Sequence, residues 1–168
     1  MVTGGGVKAL SRLLVKVENR SEAAMLKGIP SILSPELLKI LMEMGHGDEL
    51  VIGDGNFPAA SYAKRLVRCD GHNVPKLLDA ILALFPLDSF VSEPVALMQT
   101  VAEHTSETPP IWAEYEKIIN KHEPQNNGIC YEERFAFYER AKNAYAIVAT
   151  GEGALYANVI LKKGVIIQ

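Results

Sequence analysis

Residues 34–59 read SPELLKILMEMGHGDELVIGDGNFPA, and the order of devices in that stretch decides the fold class. Ser34 is an N-cap residue, and Pro35 after it suits a first helical position because it has no N–H to leave unpaired. Leu37, Leu38, Ile40, Leu41 and Met44 then recur at helical spacing until Gly45 ends the run. Directly afterwards the apolar, β-branched run ELVIG at 49–53 closes on Asp54, as a short buried strand would. A capped helix that leads through a Gly-His-Gly loop into a buried strand is the start of an α/β domain.

The same devices recur along the chain. NVPKLLDAILALF at 73–85 repeats the helical signal with Asn73 as cap and Pro75 in the first turn, closed by Pro86. PVALMQTVA at 94–102 predicts a strand, and PPIWAEYEKIINKH at 109–122 a surface helix with Ile111, Tyr115, Ile118 and Ile119 on its apolar face. HEPQNNGICYEE at 122–133 reads as a loop, RFAFYERAKNA at 134–144 as a helix, and YAIVATG and YANVILKKGVII as two strand segments. Helices alternating with strands predict one α/β domain with a parallel or mixed sheet flanked by helices.

Composition narrows the function classes. With 168 residues, 48% hydrophobic and 22% charged, the chain fits one globular domain able to bury its own core. A formal net charge of −3 without a basic block argues against nucleic acid and anionic membranes as partners. Cys69 and Cys130 lie far apart with no CxxC spacing, which suits a reducing cytoplasm rather than a disulfide framework. No apolar run approaches the roughly 20 residues that span a bilayer. Residues 1–24 are glycine-rich and then basic, and are expected to form a disordered extension ahead of a compact domain at 25–168. Serine and arginine are sparse there for a mitochondrial presequence.

Asp54, Gly55 and Asn56 stand at the carboxyl end of a predicted strand, where α/β sheets gather ligands, although the same residue types also make ordinary turns. His46 lies in the loop at the opposite end of that strand, with glycine on both sides and Asp48 near enough in sequence to orient its ring. A histidine in a loop is more often solvated than catalytic, so position alone does not decide its role. His46, Asp48, Asp54 and His72 match no metal-binding signature, and the short glycine pieces lack the full GxGxxG. Arg134 and Tyr138 are four apart on one helical face, and Tyr156 and Asn158 two apart on a predicted strand, so each pair can address one pocket. An aromatic wall beside an amide suits a sugar hydroxyl, while a strand's wet polar face is the ordinary alternative. No serine or cysteine nucleophile and no glycosidase-like carboxylate pair is evident.

Residues 34–59, the DSF at 88–90, RFAFYERAKNAYAIVATGE at 134–152 and YANVILKKGV at 156–165 together resemble the fucose mutarotase and ribose pyranase family. RFAFYERAK and NFPA favour its fucose branch, and the resemblance runs from about Met25 to Val165. It implies a three-layer, ribose pyranase-like fold and an isomerase needing neither cofactor nor metal that interconverts the α and β anomers of L-fucose. His46 and Tyr138 would be the catalytic acid and base. Asp54, Asp88, Met98, Arg134, Tyr156 and Asn158 would surround the sugar, in a homo-oligomer whose bacterial relatives form ring-shaped decamers with sites between subunits. On such an interface Phe137 and Arg140 would find a use. Ala157, where fucose members often carry glycine, would bear on substrate preference.

The chemistry agrees with these residues independently. Opening a pyranose removes a proton from the anomeric hydroxyl and delivers one to the ring oxygen, and imidazole, with an ordinary pKa of about 6.5, can serve in either direction. A ribose pyranase needs the same proton transfers, and a non-catalytic sugar-binding module would keep the pocket alone. A strand of about 3.3 Å per residue separates His46 from Asp54, so a site holding both is expected to be shared between subunits.

Overall fold

The computed structural model describes residues 25–103 and 107–167. The chain divides into two units, Met1–Ser31 and Ile32–Gln168. Of the first, residues 25–31 form turns, with the Ile29 N–H donating to the Leu26 carbonyl; the extension expected at 1–24 lies outside the described residues. The second unit carries all the helices and strands described here.

Its elements are α1 (Pro35–Glu43), β1 (Glu49–Gly53), α2 (Ala59–Tyr62), β2 (Leu66–Cys69), α3 (Val74–Leu82), β3 (Val95–Met98), α4 (Pro110–His122), β4 (Ile129–Glu132), α5 (Arg134–Asn143), β5 (Ala146–Thr150) and β6 (Val159–Lys162). The six strands lie in the order β2-β5-β1-β6-β3-β4. All pairings are parallel except those of β6, which runs antiparallel to both β1 and β3. The sheet is therefore mixed, and one edge of it gathers the carboxyl ends of β1 to β5 together with the amino end of β6.

The predicted caps form as the sequence suggests. The Ser34 side chain accepts the Leu37 N–H and the Asn73 side chain the Lys76 N–H, each at 3.1 Å. Helix α1 ends one turn position earlier than Gly45 suggests, because Met44 already takes an extended backbone and turns its buried side chain into the core.

Alternation along the strands sorts the core into two layers. Leu50 and Ile52 of β1 point toward α1, α3 and α4, packing with Leu37, Leu77 and Ile119, whereas Val51 points toward Phe57 and the α5 residues Phe137 and Ala141. Helices thus cover both faces, giving the expected three layers.

Two strands are not anticipated by the patterning. β2 is an edge strand of four residues whose Arg68 points to solvent between buried Val67 and Cys69. β4 corrects the loop expected at 122–133: it lies inside that segment, is only partly buried, and gains its place through backbone pairing with β3. Gly128, which reads as a loop signal, serves a close approach instead. A Cβ there would stand 1.8 Å from the Ser92 carbonyl oxygen, so only glycine lets β4 come alongside.

Candidate active site

A cavity of about 990 Å³ opens at the edge where the strands' carboxyl ends gather. Asp54 reaches it from the end of β1, Met98 from β3, Arg134 and Tyr138 from α5 just after β4, and Tyr156 and Asn158 from the loop before β6. All six are candidates from the sequence, and the topology brings them together from four chain segments.

Asp54 and Asn158 form the polar floor. The Asp54 backbone N–H donates to Asn158 Oδ1 at 2.8 Å, and the Asn56 N–H donates to the Asp54 carboxylate at 2.9 Å. Burial pushes the Asp54 carboxyl above its ordinary range, opposed by the N–H groups of Asn56, Ala157 and Phe57 and by the Asn158 amide. Beside this floor stands Tyr138, whose ring meets Phe57 at 5.8 Å and Tyr62 at 5.6 Å in edge-on contacts. Burial pushes its phenol up, and the charge of Arg134, one turn earlier, pulls it back. The Glu133 carboxylate caps α5 by accepting the Phe135 and Ala136 N–H groups, which sets Arg134 at the first helical position facing the cavity.

Tyr156 and Asn158 share the cavity for a different reason from the expected one. β6 begins only at Val159, and Tyr156 stands before it in the left-handed region with φ 57°. Trp112 Nε1 donates to the Tyr156 carbonyl and the Tyr115 hydroxyl to the Ala157 carbonyl, both at 2.8 Å, so α4 holds this turn from below. Ala157 is fully buried in the core beneath the loop and is absent from the cavity wall. A methyl there bears on packing rather than on sugar contact. Phe57, Asn56 and Glu152 also line the cavity without having been singled out as site residues; Asn56 was legible as part of the Asp-Gly-Asn strand end, the other two only through the fold.

His46 and Asp88 lie elsewhere, at the opposite edge of the sheet. The His46 loop joins the carboxyl end of β6 through Gly47 N–H to the Lys163 carbonyl at 2.8 Å, with Gly47 at φ +82° making the turn. Asp88 attaches to the same end, its N–H donating to the Lys162 carbonyl. Their side chains meet, His46 Nε2 standing 3.1 Å from Asp88 Oδ1, with the Phe90 ring 5.4 Å from the imidazole. Asp48, expected to orient the ring, instead accepts the Gly45 N–H at 2.7 Å. The imidazole's carboxylate partner is Asp88.

Asp88 is buried while His46 is open to solvent. Burial alone would raise the Asp88 carboxyl, but the Phe90 N–H, His46 and Lys162 outweigh it and hold the group below its ordinary range. A depressed folded value contributes stability that is complete above the ordinary carboxylate value of about 3.9 and is lost as pH falls through the lower folded value. Acid denaturation followed by circular dichroism is expected to be less pH-dependent in that window for Asp88→Asn than for the wild type.

Phe137 and Arg140, expected at an interface, have partners within the chain. Phe137 is fully buried, and Arg140 donates to both oxygens of Glu49 at 3.0 and 2.8 Å and also to Glu132, tying α5 to β1 and β4. Among the described residues no group of three or more His, Cys, Asp or Glu side chains is placed to hold a metal ion, and no helix is long and apolar enough to cross a membrane.

Residues 27–166 match the RbsD / FucU transport protein family. The chain belongs to that family. The human fucose mutarotase is 50% identical over 147 residues, covering 84% of this chain and 94% of the relative. Among solved structures, the fucose mutarotase of Streptococcus pneumoniae in complex with L-fucose superposes with a TM-score of 0.80 at 55% identity, over 84% of this chain and 100% of the other. RbsD of Bacillus subtilis, complexed with D-ribose, is more distant within the same fold, with a TM-score of 0.60 at 25% identity over 80% of this chain and 95% of the other. The mixed sheet flanked by helices is shared with these structures.

Proposed function

We propose that the chain is an L-fucose mutarotase acting without a cofactor in the cytoplasm. The observation that carries the reading is the convergence of Asp54, Arg134, Tyr138, Tyr156 and Asn158 on one cavity, in a chain that is 55% identical to a protein crystallised with L-fucose. Asp54, Arg134 and Asn158 supply charged and amide partners for sugar hydroxyls, and Tyr156 and Met98 the walls. Tyr138 is the proton-transfer group of the cavity, its ring held by Phe57 and Tyr62.

His46 is the second proton-transfer group, and it reaches the sugar from a neighbouring subunit of a homo-oligomer. Within one chain His46 and Asp54 flank opposite ends of β1, so one subunit cannot bring both to a single monosaccharide. Ring-shaped decamers are one arrangement that repeats such a contact around a closed symmetry. Asp88, ionised at neutral pH, accepts the hydrogen bond of the His46 Nε2–H and so leaves Nδ1 as the atom that exchanges a proton with the substrate. One group takes the proton of the anomeric hydroxyl while the other protonates the ring oxygen. The C1–O5 bond breaks, the aldehyde rotates, and reclosure on its other face returns both protons.

Ribose pyranase activity is the second reading, favoured by the fold shared with the D-ribose complex. Saturation-transfer NMR between the α and β anomers of L-fucose, run beside D-ribose, separates the readings. Exchange of L-fucose is expected to rise in proportion to protein concentration. Greater acceleration with ribose would move the assignment to a pyranase, and binding without any acceleration would leave a sugar-binding module.

A further inference from the structure

Glu152 follows β5 and lines the cavity, yet the proton transfers described above give it no role. Its carboxylate is divided between two chain segments: one oxygen accepts the Val74 N–H at the start of α3 at 3.3 Å, the other the Ala154 N–H at 2.9 Å. Its backbone is engaged as well. The Glu152 carbonyl accepts the Gly55 N–H at 2.8 Å, and the Glu152 N–H donates to Thr150 Oγ1, which itself donates to the Gly53 carbonyl at 2.8 Å. One residue thereby joins the end of β1, the end of β5, the start of α3 and the loop that runs to β6.

That loop carries Tyr156 in its left-handed conformation, a strained state for a non-glycine residue that persists only where the surroundings hold it. Trp112 and Tyr115 hold the Tyr156–Ala157 backbone from α4, and the Val101 N–H reaches the Tyr156 hydroxyl at 3.3 Å. The other end of the loop is fastened by Glu152.

We propose that Glu152 is a positioning residue that presents Tyr156 and Asn158 to the sugar, with its two carboxylate oxygens required together because they hold separate backbone N–H groups. The proposal rests on the mutarotase reading. An amide at this position has one acceptor oxygen and turns an NH2 toward the second N–H, so Glu152→Gln loses one attachment and opposes it.

The test combines anomer-exchange kinetics with hydrogen exchange read by mass spectrometry. Glu152→Gln is expected to raise KM for L-fucose by about tenfold with kcat within about twofold of wild type, since loss of positioning weakens binding of ground and transition states alike. Peptides covering 152–158 should exchange faster than in the wild type. A raised KM with unaltered exchange of the 152–158 peptides would show a direct contact and overturn the proposal, as would an unchanged KM or a loss confined to kcat. Where Glu152→Gln yields no folded protein, Glu152→Asp decides: the same split at a smaller factor supports the role, and an unchanged KM removes it. Failure of the wild type to accelerate exchange would sink the mutarotase reading, whereas an active wild type beside a kinetically unaltered Glu152 variant would sink the positioning role alone.

Discussion

Replacing His46 by alanine is expected to slow L-fucose anomer exchange by about 10²- to 10⁴-fold, the usual contribution of a general acid or base. Binding of L-fucose to the cavity should survive, because Asp54, Arg134, Tyr156 and Asn158 remain to hold it. Folding should survive too, since the side chain is 46% exposed and its principal partner is Asp88. The decisive measurement pairs the exchange rate with calorimetric binding of L-fucose. A His46→Ala protein that exchanges anomers within about twofold of wild type would remove the histidine from the mechanism, leaving Tyr138 to act with water.

The second large effect concerns where the two proton-transfer groups meet. If each site takes Tyr138 from one chain and His46 from another, inactive His46→Ala and Tyr138→Phe chains should restore activity when co-expressed. Random assembly of equal amounts pairs an intact His46 with an intact Tyr138 at about a quarter of the sites, so about a quarter of wild-type activity is expected from the mixture. Mixing the purified variants without exchange of subunits should give none. Co-assembled chains that remain as inactive as either parent would mean that His46 and Tyr138 act within one subunit, against the separation of the two sheet edges.

Much of the fold was legible because its signals are local. Ser34 and Asn73 with their following prolines mark helix starts through hydrogen bonds three residues away, and the helices form there. The buried strands β1, β3, β5 and β6 announce themselves as apolar runs because both of their faces are covered. β2 and β4 were not legible for the converse reason. Arg68 interrupts β2, and β4 is four residues, three partly buried and Tyr131 exposed, behind a Pro-Gln-Asn-Asn-Gly turn, so their places depend on backbone pairing with β5 and β3.

The site divides in the same way. Asp54 was readable as the polar end of a buried strand, and Arg134 with Tyr138 as one helical face. Tyr156 and Asn158 precede the strand that their spacing suggests; the two line one cavity because α4 locks the Tyr156 turn. Asp48 looked like the partner of His46 through proximity in sequence, while Asp88, 42 residues away, holds the ring. No local pattern could report that contact, since it follows from the Leu87–Asp88 segment and the His46 loop both attaching to the end of β6.

The sequence by itself determined the α/β class, the capped starts of α1 and α3 and the residue types capable of proton transfer and sugar binding, because capping, periodicity and side-chain chemistry act over a few neighbours. Only the tertiary structure decided which of those residues share a cavity. The antiparallel insertion of β6 between β1 and β3 places the Tyr156 loop among the carboxyl ends of the parallel strands and carries His46 and Asp88 to the other edge. That partition follows from strand order and direction, which are set by packing across the whole sheet.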